Sequence, residues 1–171
     1  MQLKKQLLLM KEIIITSKIT VFETIQELPL AEQNLMLKAV EVRKNAYAPY
    51  SKFRVGAALL LDNGEIIVGS NQENAAYPSG LCAERVAIFY AGAIYPEATI
   101  LKMAITAASD NNNNKTTTPV PPCGACRQSI AEYEIRQDTP IEIYYMGETG
   151  SIHQSASLKN LLPFMFEKKL L

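Results

Sequence analysis

Two short runs in the sequence hold residues that could do chemistry together: Cys82-Ala83-Glu84-Arg85 and Pro122-Cys123-Gly124-Ala125-Cys126-Arg127-Gln128. Each opens a predicted helix directly after a loop containing Pro or Gly. A helix N-terminus carries unpaired N–H groups and a partial positive charge. A thiol there is stabilised as thiolate, the form that binds metal. Cys123 and Cys126 are three residues apart, about one helical turn, so both can face one point. Cys82, on a second helix, can supply a third donor. Three protein ligands leave the fourth tetrahedral position open, which is the arrangement of catalytic rather than structural zinc. Zinc in such a site activates water near neutral pH. Glu84 lies two residues after Cys82 and suits the role of proton carrier without being a ligand. Three thiolates on one dication leave an excess negative charge, and Arg85 is the residue expected to offset it.

Cysteines in isolation have blander readings. They are often small buried hydrophobes, and a Cys-x-x-Cys can be a redox pair, although that motif follows a strand in a thioredoxin-like order. Three is also an odd number for a disulfide framework. A structural zinc site would need a fourth Cys or His. The only histidine is His153, expected in an exposed polar loop with no ligand pattern around it.

The elements that must position these residues can be read along the chain. Residues 13–25 are rich in β-branched side chains and predict a strand or extended arm. Pro29 can open a helix whose apolar positions Leu35, Ala39, Val42 and Ala46 share one face, ending near Tyr47. Residues 53–61 and 65–70 flank Asp62-Asn63-Gly64, a hairpin signal. Residues 80–94 hold Ala83, Ala87, Tyr90 and Ile94 at helical spacing, and Pro96 ends that helix. Residues 99–107 read as a buried strand, 109–121 as a mobile polar loop, 123–135 as a helix and 141–146 as a strand. Residues 153–161 have no clear pattern, and a short amphipathic tail follows Leu162-Pro163-Phe164. A hairpin followed by strand–helix alternation predicts a mixed sheet flanked by helices, an α/β fold.

The chain has 171 residues, 20% of them charged, with 17 basic and 17 acidic side chains. This predicts one globular domain, and zero net charge argues against nucleic acid as the main partner. No apolar run reaches the roughly 20 residues of a membrane span. The apolar stretch Leu7–Met10 is too short for a secretory signal and is interrupted by Lys11-Glu12. A cytoplasmic location is expected.

Together the two runs match a signature of zinc-dependent nucleobase deaminases, with three cysteine ligands and a non-ligand Glu. From about Ala31 to Phe166 the sequence resembles the small homotetrameric cytidine deaminases. The resemblance is carried by Ala48-Pro49-Tyr50-Ser51, Phe53-Arg54-Val55-Gly56-Ala57-Ala58, Asn71-Gln72-Glu73-Asn74-Ala75-Ala76-Tyr77, the two cysteine runs and Leu162-Pro163-Phe164-Met165-Phe166. It implies a three-layer α-β-α cytidine deaminase-like fold over residues 27–171, preceded by an extension over residues 1–26. It also implies one zinc per subunit and hydrolysis of cytidine and deoxycytidine to uridine and deoxyuridine plus ammonia. By the same resemblance, Asn71 and Glu73 bind the ribose 3′-hydroxyl and Phe53 packs on the pyrimidine. Phe166 enters a neighbouring subunit's site, and Ala75 and Tyr77 contribute across that interface.

Three rival readings stay open at this level. A blasticidin-type antibiotic deaminase would share the Pro-Cys-Gly-x-Cys-Arg-Gln run. A deaminase of RNA or DNA would need a basic groove. A non-catalytic zinc module would need neither Glu84 nor an open coordination position.

Overall fold

The computed structural model describes residues 11–110 and 115–171. Its regular elements are β1 (Thr20–Phe22), α1 (Leu30–Arg43), β2 (Phe53–Leu61), β3 (Ile66–Ser70), α2 (Ala83–Ile94), β4 (Ile100–Ser109), α3 (Gly124–Arg136), β5 (Glu142–Met146) and β6 (Ile152–Ser155). The strands form one mixed sheet in the order β1-β6-β5-β4-β2-β3. Only β4 and β5 pair in parallel; the other neighbours are antiparallel.

The layering follows from this order. β3 and β4 both run antiparallel to β2, so the β3–α2–β4 and β4–α3–β5 connections are both parallel crossovers. Both step across the sheet in the same direction, and crossovers of one hand then put α2 and α3 on one face. There Ala87, Ile88, Ile130 and Ala131 pack on Ala57, Leu59, Met103, Ile105 and Ile143. On the opposite face Leu35, Met36 and Ala39 of α1 pack on Ala58, Ala104, Tyr144 and Met146. The expected three layers are present, and β2 reads as an apolar run from Val55 to Leu61 because both its faces are covered there.

Two glycines set the helix distances. A Cβ on Gly56 of β2 would stand 2.1 Å from the Ala39 carbonyl oxygen in α1, and one on Gly69 of β3 would stand 2.6 Å from Ala83 O and Ala87 N in α2. The hairpin turn falls at Asp62–Gly64 as its sequence predicts, with Gly64 at φ +86°.

Several expectations are corrected. The first helix stops at Arg43, short of Tyr47. Arg54 bonds the carbonyls of Lys44 and Ala46, and Tyr47 is drawn instead into a bridge with Gln72. In α2 the buried positions are Ala83, Glu84, Ala87, Ile88 and Ala91, while Tyr90 and Ile94 are exposed. That helix is apolar on more than one side, so spacing alone could not choose its inner face. Residues 153–161 contain most of β6 and a single turn at Leu158–Asn160. His153 therefore lies on a strand, edge-on to Tyr145 at 5.5 Å.

Of the expected strand or arm over 13–25, only Thr20–Phe22 is a strand; it pairs with β6, and Phe22 and Ile25 pack against the α1-side core. Within the polar loop expected to be mobile, residues 111–114 lie outside the described residues. Asp110 is fastened by Arg54 at 2.7 Å and by its own N–H to the Lys52 carbonyl. Thr116 O accepts from Glu148 N at 2.6 Å. Backbone partners in the β5–β6 turn thus secure the end of the loop that leads to Cys123.

Candidate active site and metal centre

Cys82 and Cys123 are the N-cap residues of α2 and α3, each with extended backbone, and Cys126 sits in the first turn of α3. The two helices start side by side because both follow strands of one sheet on one face. Their three Sγ atoms all lie within 4.8 Å of one another. Cys82 and Cys123 are 3.9 Å apart. Sulfurs about 2.3 Å from a tetrahedral zinc stand about 3.8 Å from each other. The donor set therefore fits zinc, and no fourth Cys, His, Asp or Glu joins the cluster among the described residues.

The electrostatics suit a dication. The Cys82 thiol is drawn down to about 5, first by the hydrogen bond from Cys126. Burial opposes this, and Arg85 and Cys123 add to it. Cys126, hydrogen-bonded to Cys82 and buried, is pushed up. Three sulfurs this close cannot all carry negative charge without mutual repulsion, and a bound cation relieves it. For Arg85, burial works downwards, but its hydrogen bond to Cys82 and the field of all three sulfurs raise it above the usual value. Arg85 is thus where charge compensation was expected. Glu84 is 4% exposed. Burial pushes its carboxyl above the ordinary carboxylate range, helped by the charge on Cys82. A carboxyl shifted upward takes up a proton more readily than an ordinary one.

A cleft of about 470 Å³ opens on this centre through Cys82 and Arg85. Its volume falls within the range of small-molecule sites. Asn71, Glu73 and Tyr77 line it, as do Tyr50, Ser51 and Gln72. Backbone pairing holds this wall in place: Gln72 exchanges both hydrogen bonds with Leu81, and Tyr47 bonds Asn71 O and Glu73 N. That pairing fixes the Asn71–Glu73 segment against the residue before Cys82.

Asn71 Oδ1 accepts from Val55 N at 2.8 Å, and its Nδ2 donates to Phe53 O at 3.0 Å. Glu73 accepts from Tyr50 N at 2.9 Å and Ser51 N at 3.3 Å, and Ser51 Oγ donates to its other oxygen. Phe53, Ala75 and Phe166 do not line the cleft within this chain. Phe166 is 58% exposed. Its carbonyl accepts from Gln128 Nε2 at 2.9 Å. Arg127 ties the same region to the metal helix by bonding Pro122 O at 2.7 Å and Leu161 O at 2.8 Å.

Tyr50 and Ser51 were legible in the sequence only as turn chemistry. Their role depends on a carboxylate 22 residues or more away, so the local pattern held no sign of it beyond their place in a recurring motif.

A family model for the cytidine and deoxycytidylate deaminase zinc-binding region matches residues 30–139. A cytidine deaminase of Halalkalibacterium halodurans is 43% identical over 134 residues, covering 78% of this chain and 92% of that protein. One of Sporosarcina psychrophila is 39% identical over 137 residues, covering 80% and 92%. Among solved structures, a cytidine deaminase from Burkholderia pseudomallei aligns with a TM-score of 0.66 at 34% identity, over 78% of this chain and 97% of that one. Fold and site together define a zinc-dependent deaminase class. The chain belongs to the cytidine and deoxycytidylate deaminase family.

Proposed function

We propose that this protein hydrolyses cytidine and deoxycytidine to uridine and deoxyuridine with release of ammonia. The observation that carries the reading is the convergence of Cys82, Cys123 and Cys126 beside a buried Glu84, with Cys82 and Arg85 opening onto a cleft of about 470 Å³. Cys82, Cys123 and Cys126 would hold one zinc per subunit. When bound, zinc supplies the polarisation that makes water nucleophilic near neutral pH.

Glu84 takes the proton of the attacking water on a carboxylate oxygen and passes it to ring nitrogen 3. Protonation there makes carbon 4 electrophilic, and the water oxygen bonds to it. Glu84 then removes the remaining proton of that oxygen and delivers it to the amino nitrogen. The C–N bond breaks, ammonia leaves, and carbon 4 keeps a carbonyl. Arg85 offsets the charge of the thiolates during these transfers.

Asn71 and Glu73 bind the ribose 3′-hydroxyl in this reading, and Phe53 packs on the pyrimidine. Phe166 completes the site of a neighbouring copy, with Ala75 and Tyr77 at that interface, in a homotetramer. The exposure of Tyr77 and Phe166 supports this, since neither is covered within one chain. Residues 27–171 form the catalytic domain and 1–26 an extension. No described helix is long and apolar enough to cross a membrane. A cytoplasmic location is part of the same proposal. The test is metal analysis of the purified protein with a cytidine absorbance assay before and after chelation. Near-stoichiometric zinc, activity lost with the metal and recovered on zinc addition are expected; full turnover without metal would refute the reading.

A further inference from the structure

We propose that Ser51 is a positioning residue for the Glu73 carboxylate and, through it, a determinant of preference for sugars that carry a 3′-hydroxyl. The proposal rests on the reading of Asn71 and Glu73 as the ribose partners. Its own basis is the hydrogen-bond inventory of the Tyr50–Phe53 turn. A carboxylate has about four acceptor sites. Tyr50 N and Ser51 N fill two on Oε2, and Ser51 Oγ fills one on Oε1. Among the described residues one remains, on Oε1. Asn71 is similarly committed: its oxygen accepts from Val55 N, which can only donate, so the amide orientation is fixed and one Nδ2 hydrogen is left after the bond to Phe53 O. The two side chains thus offer one acceptor and one donor to the cleft. A hydroxyl donates once and accepts, so it satisfies both.

Ser51 decides where the free Glu73 site points. Its hydroxyl accepts from Phe53 N at 3.0 Å. Its single proton goes to Glu73 Oε1. The turn is shaped by Lys52, which holds a left-handed φ of +56°. Its N–H bonds Ala48 O and its carbonyl accepts from Asp110 N. The Ser51 hydroxyl is also the main influence holding the Glu73 carboxyl below its ordinary range. Without that hydroxyl the Oε1 side of the carboxylate loses the one anchor it has among the described residues and the free acceptor loses its aim, although both backbone donors still hold Oε2.

The experiment compares kcat/KM for cytidine and 3′-deoxycytidine in the zinc-loaded protein and in its Ser51→Ala, Ser51→Thr and Glu73→Gln variants. Zinc content and melting temperature are recorded for each. A hydrogen bond to a charged group accounts for about tenfold or more in such comparisons. The expected result is that Ser51→Ala lowers kcat/KM for cytidine about tenfold or more and changes it less than about twofold for 3′-deoxycytidine. Ser51→Thr, which keeps a hydroxyl, restores most of the preference. Glu73→Gln loses the preference as well. Equal slowing of both substrates by Ser51→Ala, or slowing of neither, with Glu73→Gln losing the preference, overturns the role of Ser51 and leaves the sugar assignment standing. If Glu73→Gln slows both equally, or the unmodified protein does not distinguish them, the sugar assignment falls and this proposal falls with it.

Discussion

Replacing Glu84 by glutamine removes a proton-carrying site while leaving side-chain volume and the three sulfur donors in place. A general acid–base group contributes about 10²–10⁴-fold to rate, and this one is asked to move two protons in succession. Glu84→Gln is therefore expected to keep its zinc by metal analysis and to lose cytidine turnover by about 10³-fold or more in the absorbance assay. Near-normal turnover would show that another group carries the proton. The cysteines are the opposite case. Each is proposed as a metal donor, so Cys126→Ala should lower zinc content and activity together. At this scale the sequence was already informative, because a donor's chemistry depends on its type. Position within the fold added what type could not: the 3.9 Å sulfur separation and the burial that raises Glu84.

The helices deliver those residues, and two features of their packing are open to test. Gly69 lets α2, which carries Glu84 and Arg85, sit directly on β3. A methyl there would stand 2.6 Å from backbone atoms of Ala83 and Ala87, which cannot move aside as a flexible side chain can. Gly69→Ala should destabilise the fold by about 1–3 kcal/mol in urea unfolding and weaken zinc retention by displacing the start of the helix. Glu134 of α3 is buried and accepts from Ile141 N at 2.8 Å, Leu158 N at 2.9 Å and Ser157 Oγ at 2.6 Å. It binds the end of its helix to β5 and to the turn before the C-terminal segment. Glu134→Ala would strand two buried N–H donors and should cost about 3 kcal/mol. Glu134→Gln should cost much less, because an amide oxygen can serve both backbone donors and its NH₂ can donate to the Ser157 hydroxyl. Comparable losses in the two variants would show that charge, not donor satisfaction, matters there. Neither feature was visible in the sequence. Gly69 is one glycine among eight, and the partners of Glu134 lie across a helix–strand connection.

For the whole molecule, the notable surface is aromatic. Tyr77, Phe164 and Phe166 are exposed, as are Phe89, Tyr90 and Ile94 on α2. Large apolar side chains left uncovered on a single chain are suited to burial in an interface. A tetramer would give a sedimentation mass four times the 18.9 kDa of the chain. Phe166→Ala should keep zinc yet lower kcat/KM for cytidine about tenfold. A monomer with full activity would remove the basis for a shared site. The β1 segment adds a smaller whole-molecule feature: it covers the edge of β6, a row of backbone groups that would otherwise be open to pairing with other chains.

The sequence by itself determined the donor types, the two helix starts that carry them, the hairpin and the alternation that makes a mixed sheet. These depend on neighbours within a few residues, where spacing and turn chemistry act directly. Tertiary structure alone decided which side of α2 faces inward, where α1 stops, that residues 152–155 form a strand, and that Ser51 reaches Glu73. Each of those depends on a partner far along the chain, and the free energy that selects among local options comes from burial and hydrogen bonds formed only once the layers meet.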